Sequence, residues 1–458
     1  MTARFAAFAI MLGACLGTAP VVAQQGPRKV TVPYQMFTLP NGLTVILHED
    51  HSVPIVSVNV WYNVGSANEK PGRTGFAHLF EHLMFEGSKH VKEGDFDLLL
   101  EAAGGGNNGS TTNDRTNYFI DVPSNAIDLA LFLESDRMGY LLDIVSEQLV
   151  NGQRDVVKNE RRQSYENAPY GMAEIRLNEL LYPKNHPYYW PVIGHMEDLT
   201  AASAEDVKEF FRRYYAPQNA SLVIAGDINP AEIRKKIEYW FGDVKPGKSR
   251  DPIEAPAVTL TGVTKETLTD QVQLPRISLV WQTPALFTPG DAELDVAASV
   301  LAGGKNSRLY KRLIYDMQIA QSVVAFQASG RLGSMFRIDI TARPSKEPAG
   351  QVLEKLKTIV DEELAKLREA APSAREVQRV LNQTEASFYN RMERIGNFGG
   401  KADQLNSYWV QTGNPDWFNE DLNRYLSLQP NDVQMAVRRW LPADKRIELS
   451  VVPKEGGK

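Results

Sequence analysis

Two stretches of this chain copy one another, and that repeat limits the fold more than any other feature. Ser203 to Gly226 (SAEDVKEFFRRYYAPQNASLVIAG) and Pro430 to Pro453 (PNDVQMAVRRWLPADKRIELSVVP) match at Asp206-Val207 with Asp432-Val433 and at Arg212-Arg213 with Arg438-Arg439, an offset of 226. Each reads as a capped amphipathic helix, a turn with proline and an apolar strand. Ser203 is a good N-cap, with Asp206 three residues on. Upstream, the segment from Pro54 returns from Pro275 at an offset of 221, and Phe119 to Val122 returns as Arg337 to Ile340 at 218. A period this long means two homologous domains rather than a solenoid of small units.

The expected division is a first domain over 28–246, a linker over 247–257 rich in proline and charge, and a second domain over 258–458. Leu43 to His48 and Val56 to Val64 read as strands, with Asn41-Gly42 as the turn before the first. Thr74 to Phe85, Ala126 to Leu142 and Ser146 to Tyr165 carry helical patterns. Strands adjacent in sequence, with helices in groups, point to an α+β fold. Two homologous α/β-sandwich domains are expected, each a largely antiparallel sheet with helices packed on it. The 458 residues, 43% hydrophobic, suffice for two such cores.

Asp+Glu at 56 against Lys+Arg at 50 leaves a net charge of −6, so no basic surplus suggests a nucleic-acid partner. A single cysteine, Cys15, excludes an internal disulfide. Residues 1–23 read as a secretory signal: Arg4 is the positive end, Phe5 to Leu16 the apolar run, and Val21-Val22-Ala23 the small-residue cleavage site. The expected destination is across an inner membrane, in the periplasm. Leu12-Gly13-Ala14-Cys15 loosely resembles a bacterial lipobox, which makes a lipid anchor on Cys15 the alternative. No later segment offers ~18 uninterrupted apolar residues, so no membrane span is expected.

Thr74 to Ser88 (TGFAHLFEHLMFEGS) contains the chemistry. His78 and His82 are four apart and share a helix face, where both imidazoles can bind one metal ion. Glu81 lies three after His78, placed to reach a water held there rather than the metal. This is H-x-x-E-H, the inverted zinc-peptidase helix motif. Zinc lowers the pKa of bound water toward ~7, and a carboxylate can take its proton during attack on a carbonyl. The bland alternative is two surface histidines on an amphipathic helix. With only 7 histidines in the chain, this spacing with a glutamate between them is an improbable accident. A second helix, with Arg154-Asp155-Val156-Val157-Lys158-Asn159-Glu160, offers a third ligand candidate.

Together with Leu39-Pro40-Asn41-Gly42-Leu43, these motifs make almost all of the chain after the signal resemble the pitrilysin/insulinase family of zinc peptidases. The branch it resembles is that of the mitochondrial processing peptidase and its bacterial relatives. The resemblance implies that one Zn²⁺ is bound by His78, His82 and Glu160, with Glu81 as the base. It implies a supporting role for position 153, where Gln153 replaces the family's usual glutamate. Gly104 to Gly106 and Asn108 to Tyr118 match the family's substrate edge strand, where an extended peptide adds by β-augmentation. Asn108 and Gly109 are then the first candidates for peptide contact, with Thr111 and Asn117 behind them. Without the resemblance, this stretch reads as a plain glycine-rich hairpin.

The second copy lacks the motif. Aligned from Pro54 on Pro275, His78, Glu81 and His82 fall on Ser299, Ala302 and Gly303. In the family, the second half contributes an Arg and a Tyr seven residues later that bind and polarise the substrate. Those positions hold Ile314 and Gln321 here, and neither can do that work. Arg308, Arg312, Tyr310 and Tyr315 are nearby but out of register. The expectation is a zinc metalloendopeptidase that acts as the zinc-carrying subunit of a heterodimer, its partner a homologous chain with the Arg/Tyr pair. A self-sufficient homodimeric peptidase and a non-catalytic structural subunit remain the alternatives.

Overall fold

The computed structural model describes residues 29–247 and 252–454; the expected signal at 1–23, Cys15 and part of the expected linker lie outside them. From Val32 on, the chain packs as one compact unit. Eleven strands among the described residues form two sheets. The first contains β1 (Gln35–Thr38), β2 (Thr44–Glu49), β3 (Ile55–Tyr62), β4 (Gly106–Thr111), β5 (Thr116–Pro123) and β6 (Ala220–Gly226), in the order β1-β2-β6-β3-β5-β4. The second contains β7 (Val263–Asp270), β8 (Arg276–Thr283), β9 (Ala320–Ala328), β10 (Ser334–Ala342) and β11 (Arg446–Pro453), in the order β7-β11-β8-β10-β9.

Each sheet has one parallel pair, β2 with β6 and β7 with β11, and is otherwise antiparallel. The duplication extends to register. Val58 pairs with Ile120 in the first sheet, and Leu279 with Ile338 in the second, at the offsets of 221 and 218 read from sequence. The repeated helices also agree, Ala204–Tyr214 with Pro430–Trp440. The strand after them does not keep the offset of 226. Val58 pairs with Ile224, whereas Leu279 pairs with Glu448. The second copy is thus two residues shorter before its last strand, and a slip of two leaves every side chain on its original face.

The sheets are covered reciprocally. Val56, Val58, Val60, Ile120, Leu222 and Ile224 pack under helices of their own half. The opposite face, with Ser57, Asn59 and Trp61, is buried under helix Lys401–Thr412 of the second half. In turn, helix Gly171–Leu181 of the first half packs through Ala173, Leu177 and Leu181 on Val280, Ile447, Leu449 and Val451 of the second sheet. Arg176 and Arg337 tie that contact with paired hydrogen bonds to Glu266 and Glu174. Each half therefore completes the other's burial, which a single copy could not do. No helix among the described residues is long and apolar enough to cross a membrane.

Candidate metal centre

The motif helix is short, Phe76–Leu83. It begins two residues later than the sequence pattern suggests, because Gly75 stands at φ +87 as its N-cap. Leu79, Phe80 and Leu83 are fully buried and fix one face of the helix. Glycine has no side chain to cap with, so a distant residue does it. The buried Glu69 carboxylate accepts from Gly75 N at 2.9 Å and Ala77 N at 2.8 Å. Asp198 accepts from Thr74 N and Oγ1 at 3.1 and 2.6 Å. Sequence reading missed both acids: Glu69 reaches amides six and eight residues on, outside any local capping pattern, and Asp198 reaches Thr74 from 124 residues away.

The other helix, Glu147–Arg161, starts at Ser146, whose side chain accepts from Leu149 N. It runs on into a π-helical turn, Arg162–Glu166. Its last turn brings Glu160 against the motif. Glu160 Oε2 lies 3.2 Å from His82 Nε2 and 3.7 Å from His78 Nε2. The three residues are the cluster of potential metal ligands found among the described residues, their donor atoms all within 4.8 Å of one another. Ligands at about 2.0–2.1 Å around a tetrahedral metal stand about 3.3 Å apart, so the donor set fits zinc. Burial holds His78 down to about 4, which leaves its imidazole neutral and ready to ligate. The hydrogen bond with His82 holds Glu160 below its ordinary value. Among the described residues, none pairs with the buried His78 Nδ1.

Glu81 is mostly buried, and burial raises its pKa; the Thr111 hydroxyl opposes this by donating to Oε2 at 2.6 Å. The base candidate is thereby tied to the last residue of β4, and Thr111 is a partner of Glu81 in this structure. Among the described residues β4 is an edge strand, paired with β5 alone. On it Asn108 is exposed, and its Oδ1 accepts from Gly109 N. A Cβ on Gly109 would stand 3.1 Å from the Phe85 and Tyr118 rings, so glycine keeps those rings packed under the strand.

Two other candidates are placed differently from expectation. Asn117 is fully buried on β5 and donates to Asp403 at 3.0 Å, away from the free edge. The alternation of strand side chains sends it to the face covered by the second half. Gln153 lies two turns before Glu160 and lines a cavity of about 660 Å³ with Glu86, Ser88 and His90. It makes no hydrogen bond with a ligand residue.

In the second half, the corresponding helix is Asp291–Ala302, with Ser299 and Ala302 on it. Arg308 is held by Glu376, and Arg312 by Glu362 and Glu363, so both arginines serve packing. Ile314 packs on the second core, and Gln321 is exposed on β9.

Known proteins resemble this chain in sequence and in fold. Residues 44–185 match the family model for insulinase (peptidase family M16), and residues 201–384 match that for the M16 inactive domain. A Helicobacter pylori protein named zinc protease PqqE is 29% identical over 381 residues, covering 81% of this chain and 83% of that one. An uncharacterized zinc protease of Bacillus subtilis, YmxG, is 25% identical, covering 78% and 84%. The crystal structure of a protease from Helicobacter pylori superposes with a TM-score of 0.82 at 26% identity, over 92% of this chain and all of that one.

Proposed function

Since the chain belongs to the insulinase-type M16 peptidase family, we propose that it is a zinc endopeptidase cleaving extended peptides and unfolded polypeptide segments. The observation that carries the reading is the convergence of His78, His82 and Glu160 beside a half-buried Glu81 that is tethered to a sheet-edge strand. Zinc, when bound there, supplies a Lewis acid for the scissile carbonyl and lowers the pKa of water in its open position.

The chain's own residues do the rest. The free backbone of β4 pairs with an extended substrate and lays its amides along the strand, with Asn108 and Gly109 at the contact. Glu81, raised by burial, takes a proton from the attacking water and returns it to the leaving amine. Thr111 keeps the carboxylate in one orientation while this happens. Edge pairing needs an extended chain, so compact folded domains are poor substrates.

The partner follows from the second half. With Ile314 and Gln321 at the positions where the family has Arg and Tyr, this chain brings zinc and a base but lacks those two donors. A homologous subunit bearing them completes the site, and the leader-like 1–23 places the pair in the periplasm.

The test is zinc analysis and peptide cleavage by the purified chain, alone and with such a subunit. Wild type and Glu81→Gln should both hold one zinc per chain, and only wild type should cleave. His82→Ala with full zinc occupancy, or Glu81→Gln with unchanged turnover, refutes the reading.

A further inference from the structure

The second half touches the catalytic side of the molecule through the β4–β5 hairpin. Thr111 ends β4, and the turn 112–115 follows. Within the turn, Thr112 N donates to Arg115 O at 2.8 Å. The Arg115 guanidinium folds back on the strand, donating to Ser110 O at 2.8 Å and Ser110 Oγ at 2.6 Å. Ser110, the neighbour of the residue on Glu81, is therefore held from the turn side.

The hairpin is gripped from the second half at two points, one on its turn and one on β5. The first is the β9–β10 turn, the duplicate of this very hairpin. Its Arg331 donates from N to Asp114 Oδ2 at 3.0 Å and from Nη2 to Asp114 O at 2.8 Å. Tyr188 seals the joint: its hydroxyl donates to Asp114 Oδ1 at 2.5 Å and accepts from Leu332 N at 3.1 Å. The second point is Asp403, a buried carboxylate on helix Lys401–Thr412. Its Oδ1 accepts from Trp61 Nε1 at 2.9 Å and Asn117 Nδ2 at 3.0 Å, and its Oδ2 from Gly399 N at 2.8 Å. Asn117 Oδ1 accepts from Ser110 Oγ at 2.6 Å, and the Arg115 guanidinium sits 5.1 Å over the Trp61 ring. The first grip reaches Ser110 through Arg115, the neighbour of Asp114, and the second reaches it through Asn117; Ser110 adjoins Thr111 on β4.

We propose that the second half, which has no metal motif of its own, holds the catalytic base in place: Arg331 and Asp403 are positioning residues that act through the β4–β5 hairpin on Thr111, and Thr111 acts on Glu81. This rests on Glu81 being the base. It gives the second copy a part in catalysis within the same chain, independent of any partner. Neither positioning residue touches the zinc ligands or the free edge of β4. Their loss should lower kcat and leave KM and zinc content near wild type.

The experiment is a double-mutant cycle on the full-length zinc protein, in whichever form cleaves peptide, alone or with the complementary subunit. Thr111→Val should lower kcat about tenfold, the effect of ~1.4 kcal/mol in the barrier, and Thr111→Ser should restore it. Arg331→Ala and Asp403→Asn should each lower kcat several-fold in wild type, yet have little further effect in the Thr111→Val background, since residues acting through one another are not additive. A contribution to stability only would leave kcat of the folded fraction unchanged, or give additive losses; either result overturns the proposal. A readout without turnover runs in parallel. Amide exchange of 110–117 should quicken in Arg331→Ala and Asp403→Asn while the motif helix stays protected, and unchanged exchange also overturns it. Absence of cleavage by the wild-type protein in both forms would instead count against the peptidase reading, leaving the exchange result to decide this one.

Discussion

Replacing Glu69 should loosen the metal centre from behind. The motif helix has eight residues, and a helix so short is marginal without outside support. A capping side chain cannot be installed at Gly75: φ is +87, and a Cβ there would meet Leu199 Cδ2 at 2.8 Å and Ile193 O at 2.9 Å. Glu69 supplies the cap from outside, through hydrogen bonds of 2.9 and 2.8 Å to two backbone amides. Hydrogen bonds to a charged group are worth about 1.5–3 kcal/mol each, so Glu69→Ala forfeits about 3–6 kcal/mol in contacts. Burial pushes the Glu69 carboxyl up, a cost that the alanine variant no longer bears, so the lower end, about 3 kcal/mol, is expected. Glu69→Gln keeps one acceptor and should lose about half as much. Because His78 and His82 are on this helix, part of the loss reappears as weaker zinc binding. Urea unfolding of the metal-free protein gives the first number, and zinc competition against a fluorescent chelator gives the second. Expected is wild type above Glu69→Gln above Glu69→Ala in both. An alanine variant within 0.5 kcal/mol of wild type, with equal zinc affinity, would refute the capping role.

Three further outcomes are expected. Arg308, joined to both Glu376 oxygens, holds that carboxyl down to about 2, so its stabilisation is full above the ordinary 4.5 and is lost as pH falls toward 2. After solvent screening this amounts to about 1–2 kcal/mol, and the denaturation gap between wild type and Glu376→Gln should close between pH 4.5 and 2; a gap independent of pH contradicts the pairing. Gly109→Ala drives a methyl against Phe85 and Tyr118 and should cost about 1–3 kcal/mol of stability while raising KM for peptides; a variant indistinguishable from wild type in melting and KM would show that the strand has room. Installing the missing donors as Ile314→Arg with Gln321→Tyr should raise single-chain turnover, since an added donor at the carbonyl oxygen can be worth ~10²–10³ in rate; no gain in a folded, zinc-loaded double variant counts against those positions.

The readings that came directly from sequence depend on spacing within one element. The separation of His78 from His82, the Ser203 cap with Asp206, and the twin β3–β5 and β8–β10 pairings are set by helical and strand periods, which the chain carries locally. The duplication was legible for the same reason, although the two residues missing before β11 became visible only through pairing. Tertiary packing decided the rest. It sent Asn117 into the contact with Asp403, put Thr111 on Glu81, and paired Arg308 and Arg312 with glutamates on other helices. It also made Glu69 the cap of a helix that starts several residues away. Apolar burial does not specify its partner, so periodicity says that a face will be covered without saying by what. Here each sheet is covered by a helix of the other half, and the polar groups stranded on those faces had to find partners there.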